Sequence, residues 1–210
     1  MQNILRIVGT LISVDNGFGL VETVGTQSVP EQLEVYGLKD SLKPGANVEV
    51  TGHFESSVDN EGRPTTHIIV DKSRKASAGT EPFCRGRVQG SMWERGFDMR
   101  DQLSDRAPFG WGMVDIGSHR VRFTAFNPLA SHLANGDKNA KPPKIKALPN
   151  AMIKVEGRIR HREFSRNDGT LSSGPDILAD PLYTMVEEEG HLTDYFGDEG
   201  TVSEKKVAAI

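Results

Sequence analysis

The amino-acid sequence predicts an all-β protein made of two small five-stranded β-barrels in tandem, followed by an acidic tail. Three observations predict this fold class. Short alternating strands are separated by turn residues, a turn-and-strand motif occurs twice, and windows long enough for an amphipathic helix are few. The 210 residues suit two small domains as well as one of medium size, and the 22 glycines and 11 prolines indicate frequent turns.

The repeated motif is a turn followed by a strand. Residues 44–52, "PGANVEVTG", and residues 149–157, "PNAMIKVEG", share Pro, Ala, Val and Gly at matching positions. Gly45 in the first copy matches Asn150 in the second, and both residue types tolerate a positive φ in a turn. A second turn signal, "DNEG" or "NDG", follows each copy at similar spacing. The motif therefore predicts a duplicated domain.

The start of each copy is also similar, with strands broken by glycine. In "RIVGTLISV" and "FCRGRVQGS" we equate Gly9 with Gly86. Since 35 residues separate Gly9 from Pro44 and 63 separate Gly86 from Pro149, the second copy is 28 residues longer. We assign the extra residues to insertions within 91–112 and 135–147.

These elements predict four segments and one short helix. The boundaries are a first barrel at 1–75, a linker at 76–82, a second barrel at 83–186 and an acidic flexible tail at 187–210. The helix is expected around residues 127–134, "NPLASHLA", before the repeated turn. A five-stranded barrel with one intervening helix is the OB architecture. An immunoglobulin-like sandwich is the alternative, but it needs more strands than the first copy offers.

Charge is unevenly distributed along the chain. The net charge is −4, yet residues 80–186 contain 16 Lys and Arg against 12 Asp and Glu. Residues 187–210 contain 2 against 7. A basic middle and an acidic tail indicate a polyanionic partner for the second barrel.

The cellular setting is predicted to be a reducing cytoplasm. No apolar run approaches the roughly 18 residues of a membrane span, so no membrane partner is expected. The first residues, "MQNILRIVGT", lack the basic flank and long apolar region of a signal peptide. The single cysteine, Cys84, cannot form an internal disulfide and suits a reducing compartment.

The second copy of the repeated strand is basic on one side. Side chains alternate across a strand, so Ile153, Val155 and Ile159 are predicted to face the core. A solvated face would mix signs, because neighbouring like charges repel. The opposite side instead carries Lys154, Glu156, Arg158, Arg160, Arg162, Phe164 and Arg166. This row indicates binding of a polyanion; the alternative is an edge strand whose charges discourage aggregation.

The strand at residues 119–126, "HRVRFTAF", follows the same rule. Phe123 and its inward neighbours are apolar, whereas Arg120 and Arg122 face outward with Phe126. Basic side chains that follow phosphates, together with rings that stack on unpaired bases, are what binding of single-stranded nucleic acid requires. Each stack contributes about 1–3 kcal/mol without reading sequence.

These segments resemble bacterial and phage single-stranded DNA-binding proteins. "VEGRIRHREFSRNDG" is similar to their signature strand, in which a glycine precedes alternating basic residues and a base-stacking tryptophan. The resemblance implies that Phe164 stacks on a base and that Arg160 and Arg162 take the basic positions. "HRVRFTAFNPLASHLA" resembles the family's strand-plus-helix segment, and "DNEGRPTTHIIV" resembles the strand after its signature hairpin.

The sequence departs from that pattern in three places. In the first copy, the outward positions after Gly52 lack the basic row, so DNA binding is expected on the second barrel. Gly174 and Pro175 are expected to interrupt the later strand of the second copy. The chain ends in "EKKVAAI", so the resemblance carries over an acidic tail but not the family's terminal docking motif.

Further candidates lie near the start of the second copy. Trp93 and Trp111 fall in an aromatic, basic, glycine-rich insertion, where they lengthen the stacking surface or cap the barrel. The complete set of predicted DNA-binding residues is Arg85, Arg87, Trp93, Trp111, Arg120, Arg122, Lys154, Arg158, Arg160, Arg162, Phe164 and Arg166.

Catalysis finds little support in the sequence. The six histidines show no metal-ligand spacing, and no glycine-rich phosphate loop ends in Lys-Ser or Lys-Thr. We therefore predict a non-enzymatic protein without a cofactor that binds and protects single-stranded DNA in replication, recombination or repair. Its tail is a candidate docking segment for replication or recombination proteins, and the chain is compatible with a homodimer or a monomer. The alternatives are a structural or assembly protein that uses duplicated barrels for protein contacts, and an RNA-binding OB protein.

Overall fold

The structure is a computed structural model that describes residues 2–25, 29–58, 64–100, 108–137, 139, 146–165, 169–188 and 191–194. These residues form thirteen β-strands and one α-helix. The strands are β1 Gln2–Asp15, β2 Phe18–Thr23, β3 Glu31–Tyr36, β4 Asn47–Val58, β5 Pro64–Lys75, β6 Phe83–Met92, β7 Asp98–Arg100, β8 Phe109–Ile116, β9 His119–Phe126, β10 Met152–Ser165, β11 Leu171–Ala179, β12 Met185–Glu188 and β13 His191–Asp194; the helix α1 is Leu129–Asn135. No helix in the described ranges has the length and apolar character needed to cross a membrane.

The first five strands close into a ring. β1 pairs with β2, β2 with β3, β5 with β4, and β4 with β1, all antiparallel. β3 and β5 complete the ring as a parallel pair, with Val35 opposite Ile68. The inward side chains of these strands, Ile7, Val50 and Phe54 among them, are fully buried. Alternation along each strand therefore places one side of the ring in a core and the other at the surface.

The second barrel repeats this ring. Its strands pair around the ring in the order β6, β8, β9, β11 and β10, and β10 pairs with β6 to close the ring. The parallel pair is again between the third and fifth strands, with Phe123 opposite Ile177. The helix α1 lies between β9 and β10, where the sequence predicts it. The predicted fold class, two tandem OB-like barrels, is confirmed.

The repeated turn and strand have the same local geometry in both copies. Gly45 and Asn150 both adopt a positive φ, of 84° and 63°, as the sequence predicts. The glycine that ends each motif lies against the partner strand. A β-carbon at Gly52 would be 1.9 Å from the carbonyl oxygen of Ile69, and one at Gly157 would be 2.0 Å from that of Leu178. Both glycines are therefore required by a close backbone approach.

The strand register corrects the alignment of the two starts. Gly9 pairs with Val48, and Gly90 pairs with Ile153, which is the repeat equivalent of Val48. Gly9 is therefore equivalent to Gly90 and not to Gly86. The second copy is accordingly 24 residues longer than the first rather than 28, since 59 residues separate Gly90 from Pro149.

The two barrels are joined through β1 and β6. These strands pair antiparallel with Leu5 opposite Gly86, which are equivalent residues of the two copies. The barrels are thus related by a pseudo-twofold axis through this pair. Gly86 makes room for Phe54 of the first barrel, because a β-carbon there would lie 2.9 Å from the Phe54 ring. Phe54 is fully buried, and the apolar core continues from one barrel into the other.

Two expectations differ from the structure. β11 runs through Gly174 and Pro175 without interruption. Proline is tolerated there because β9 pairs only with Ile177 and Leu178, so the earlier half of β11 has β10 as its neighbour within the barrel. In addition, residues 187–188 and 191–194 lie inside the predicted tail but belong to β12 and β13, which pair antiparallel. The rest of the predicted tail lies outside the described residues.

Candidate functional site

The outer side of β8 and β9 carries aromatic and basic side chains on adjacent strands. Trp111 lies opposite Thr124, and Asp115 lies opposite Arg120. The inward positions of β8 include Gly110, where a β-carbon would lie 2.3 Å from the ring of Phe97. The glycines of "FGWGM" therefore let the interior pack closely, while the alternate residues project outward.

Arginines lie over both tryptophan rings. The guanidinium of Arg122 is 4.6 Å from the centre of the Trp111 ring. Those of Arg95 and Arg120 are each 4.9 Å from the centre of the Trp93 ring. These distances are within the range of cation–π attraction, which orients the rings and the guanidinium groups together.

A buried carboxylate ties the next two strands to this surface. Asp176 in β11 is 1% exposed and accepts two hydrogen bonds from Arg160 of β10, at 2.7 and 2.9 Å. Its second oxygen also accepts a bond from the hydroxyl of buried Thr124 in β9, at 2.7 Å. Arg160, 14% exposed, is thus held in a fork-like ion pair. Arg162 donates a longer bond, of 3.4 Å, to the Thr124 hydroxyl.

The positive charges of this surface are close enough to influence one another. Burial lowers the pKa of Arg122 from its ordinary value; nearby Asp176 opposes that effect, and Arg162 and Arg160 add to it. An arginine keeps its charge at neutral pH in spite of such a shift. We call this surface the aromatic-arginine face; it consists of Trp93, Arg95, Trp111, Arg120, Arg122, Arg160 and Arg162. Among the described residues, the ion pairs of this face include Arg120 with Asp115 and Arg160 with Asp176, and the face carries five arginines.

Arg85 and Arg87 lie in a separate cluster on β6. Arg87 is 2.6 Å from Glu156, and Arg85 is 2.8 Å from Asp180. The Arg85 guanidinium also lies 4.8 Å from the ring centre of Tyr183. Two arginines thus face two carboxylates, and the charge of this cluster is matched within the fold.

Lys154 and Arg158 of β10 have neighbours outside the aromatic-arginine face. Lys154 is opposite Gln89, in the half of β10 that pairs with β6. Arg158 donates a 2.8 Å hydrogen bond to the carbonyl of Gly25 in the first barrel. It therefore helps to hold the two barrels together.

The structure describes Phe164 of β10 only through its backbone, and it does not describe Arg166, which follows the strand. Phe164 pairs through its backbone with Ser172 of β11, and its side chain lies outside the described residues. Arg166 also lies outside them. Their predicted roles in stacking and phosphate contact stay predictions.

The equivalent surface of the first barrel is aromatic as well. Register places Phe18 and Tyr36 at the positions that Trp111 and Thr124 occupy in the second barrel. Their ring centres are 5.3 Å apart, and the Tyr36 ring is 5.1 Å from that of His67. Sequence reasoning missed these rings, although their alternation along β2 and β3 was available to find them.

The charge of that equivalent surface is different. Gln32 and Glu34 take the positions of Arg120 and Arg122. At these two positions the first barrel therefore carries no positive charge, in contrast to the arginines beside the tryptophans in the second. This agrees with the sequence-based expectation that the basic row belongs to the second copy.

Sequence reasoning also missed the partner of Arg160. The available signal was the turn "NDG". In a hairpin centred on residue 168, residues at equal distances from the centre lie opposite each other, so Arg160 is opposite Asp176. Sequence alternation could show that both face outward. The burial of the carboxylate under neighbouring strands could not be read from it.

Chemistry other than binding has little basis in the described residues. Cys84 is buried, its thiol donates to the carbonyl of Ile159 at 3.3 Å, and burial raises its pKa to about 12. Such a thiol stays neutral and is a poor nucleophile. Within the described part of the chain, no three His, Cys, Asp or Glu side chains form a group that could hold a metal ion.

Two solved structures share the fold of this chain. The wild-type single-stranded DNA binding protein from Thermus aquaticus matches with a TM-score of 0.64 at 15% identity, over 91% of this chain and 96% of that chain. A deletion mutant of the Thermus aquaticus protein matches with a TM-score of 0.63 at 14% identity, over 90% and 95%. No protein-family model and no curated protein sequence matches this chain. The likeness is therefore one of fold over nearly the whole length of both chains.

Proposed function

We propose that this protein binds single-stranded DNA, largely independently of sequence, through the aromatic-arginine face of its second barrel. The observation that carries the proposal is the joint placement of Trp93 and Trp111 with five arginines, on the outer side of β8, β9 and β10 and in the turn after β6. The rings stack on bases, and the guanidinium groups contact phosphates. Since every base has a flat face, this recognition does not depend on sequence.

The preference for a single strand follows from the rings. The faces of bases in a duplex are already stacked on neighbouring bases, so only unpaired bases can lie on Trp111 or Trp93. The arginines alone would attract any nucleic acid, because their contacts are with phosphates. The tryptophans therefore supply the preference for single strands, and the arginines supply most of the dependence on salt.

Electrostatics support the same surface. Arg122 is partly desolvated and lies near two other arginines, which lowers its pKa. A phosphate at this position would relieve the repulsion between these cations. The cluster around Arg85 and Arg87 offers less, because its charge is already matched by Glu156 and Asp180.

The fold adds independent support. Proteins with the same arrangement over nearly their whole length include one from Thermus aquaticus whose name states that it binds single-stranded DNA. We propose that this chain has the same kind of ligand and acts in replication, recombination or repair, in the cytoplasm, as a binding protein without catalysis or cofactor.

The remaining segments complete the proposal. Residues 83–186 form the binding unit, residues 1–75 form a supporting unit joined through the linker 76–82, and residues 187–210 form an acidic tail whose first residues belong to β12 and β13. The tail contains 2 Lys and Arg against 7 Asp and Glu. It is suited to recruit replication or recombination proteins through basic surfaces. Association into a homodimer would present four barrels to one strand.

A titration tests the proposal. Fluorescently labelled oligo-dT, a duplex of equal length and an oligo-U RNA are each titrated with the full chain at about 50 mM and 200 mM salt. We expect oligo-dT to bind more tightly than the duplex and its affinity to fall steeply with salt. Absence of oligo-dT binding at the lower salt would overturn the proposal. Tighter binding of oligo-U than of oligo-dT would instead favour the RNA-binding alternative.

A further inference from the structure

A hairpin of the first barrel contacts the strand that carries Arg120. Ser56 in β4 and Thr66 in β5 both reach the start of β9 in the second barrel. The hydroxyl of Ser56 donates to the carbonyl oxygen of Arg120 at 2.8 Å and accepts from its backbone N–H at 2.9 Å. The hydroxyl of Thr66 donates to the same carbonyl oxygen at 3.2 Å. A hydroxyl group has one donor and two acceptor sites, so Ser56 can make both of its bonds at once.

This contact takes the place of a missing strand neighbour. β9 pairs with β8 along its whole length, but with β11 only at Phe123 and Thr124. At Arg120, the backbone groups that point away from β8 are instead bound by Ser56 and Thr66. The backbone N–H of Ser56 also donates to Nδ1 of His119, at 3.1 Å. The hairpin therefore completes the edge of the second barrel where that barrel leaves β9 without a partner.

The side chain of Arg120 is part of the proposed DNA-binding surface. Its guanidinium lies 4.9 Å from the ring centre of Trp93, and its Nε donates to Asp115 at 2.6 Å. Both contacts depend on where the backbone of Arg120 stands, because the side chain projects from a strand end. A shift of that backbone would move the guanidinium and the neighbouring ring together.

We propose that Ser56 and Thr66 are positioning residues of the aromatic-arginine face. By holding the backbone of Arg120, they set the guanidinium over Trp93 in the geometry that receives DNA. The first barrel thus supports binding by the second without contacting DNA at these two residues. This inference rests on the proposed function, since it concerns the strength of single-strand binding.

A double-mutant cycle on the full chain tests the inference. Ser56→Ala, Arg120→Ala and the double variant are titrated with the labelled oligo-dT. The matched control is Ser57→Ala, which removes the adjacent hydroxyl in the same strand; the bonds of Ser57 are to Thr65 and His67, within the first barrel. Ser56→Thr keeps the hydroxyl and serves as the conservative variant.

We expect Ser56→Ala to raise the Kd for oligo-dT about threefold to tenfold, the equivalent of one or two net hydrogen bonds. Ser57→Ala and Ser56→Thr should bind like the parent protein. The slope of log K against log salt should be unchanged in Ser56→Ala, because no charge is lost, whereas Arg120→Ala should reduce it by about 0.7. In the Arg120→Ala background, Ser56→Ala should have no further effect on binding. The Ser56 hydroxyl still contacts the backbone of residue 120 in that background, but the guanidinium that the contact positions is gone.

Several results would overturn the inference. The first is an unchanged Kd for oligo-dT in Ser56→Ala. The second is a loss of affinity that is as large when Ser56→Ala is added to Arg120→Ala as when it is made in the parent protein. The third is binding by Arg120→Ala that equals that of the parent protein. If the parent protein does not bind oligo-dT, it is the proposed function that fails. Should Ser56→Ala not fold, as judged by circular dichroism, the same cycle with Thr66→Val decides the question.

Discussion

At the scale of single residues, the suitability of an arginine for binding phosphate depends on the groups that it already contacts within the fold. Arg85 and Arg87 look like binding residues in the sequence, but each lies against a carboxylate. Arg122 lies over the ring of Trp111 beside other arginines. A carboxylate competes with a phosphate for the same guanidinium, so Arg85 and Arg87 are the weaker candidate contacts, and Arg122, which lies among other arginines beside an aromatic ring, is the stronger one.

Replacement of Trp111 tests the contribution of stacking. Trp111→Ala is expected to weaken oligo-dT binding by about 1–3 kcal/mol, because a stacked base loses its partner. The matched control is Phe18→Ala, which removes the ring at the equivalent position of the first barrel, where Glu34 replaces Arg122. Both affinities are measured by fluorescence anisotropy at one salt concentration. Equal losses in the two variants would show that the first barrel binds DNA as strongly as the second.

At the scale of strands, one buried carboxylate joins three of them. Asp176 of β11 accepts hydrogen bonds from Arg160 of β10 and Thr124 of β9. The parallel pair of β9 and β11 is short, with Phe123 opposite Ile177 and Thr124 opposite Leu178. The Asp176 contacts therefore strengthen the barrel at a position where its backbone ladder is short.

Removal of this carboxylate should destabilise the protein strongly. Asp176→Ala leaves the largely buried Arg160 without its ion pair, which costs about 3–5 kcal/mol in the free energy of unfolding. Asp115→Ala is the matched control, since the pair of Asp115 and Arg120 is 33% and 40% exposed and contributes about 1 kcal/mol or less. Urea unfolding followed by circular dichroism measures both. A loss for Asp176→Ala no larger than that for Asp115→Ala would contradict the structural role of this network.

At the scale of the whole molecule, the two barrels share one sheet and one core. β1 and β6 pair across a pseudo-twofold axis, and Phe54 of the first barrel fills the space over Gly86 of the second. The hydrogen bonds of Arg158 to Gly25 and of Ser56 to Arg120 add polar contacts between the barrels. Neither barrel keeps its complete set of contacts without the other.

The barrels should therefore unfold together. Both tryptophans, Trp93 and Trp111, lie in the second copy, so their fluorescence follows that barrel, whereas far-ultraviolet circular dichroism follows both. We expect the two signals to change with the same midpoint in urea. A fluorescence transition separated from the circular dichroism transition would show that the barrels unfold independently.

Much of the architecture could be predicted from local sequence patterns. The alternation in "MIKVEGRIR" identifies its buried side, and Ile153, Val155 and Ile159 are indeed fully buried. The turn positions of Gly45 and Asn150 were equally visible, because a positive φ favours few residue types. The predicted equivalence of Gly9 with Gly86 is wrong by four residues, since several glycines have similar neighbours in the sequence and only pairing with β4 and β10 distinguishes them.

The sequence by itself determined which side chains of each strand point outward, since alternation is a property of a single extended chain. Only the tertiary structure decided which outward residues meet. It assigned Arg85 to Asp180 and Arg158 to the carbonyl of Gly25. It also placed Ser56 of one barrel against Arg120 of the other. The physical reason is that ring closure and the β1–β6 junction bring together residues far apart in sequence, and local periodicity carries no information about such pairs.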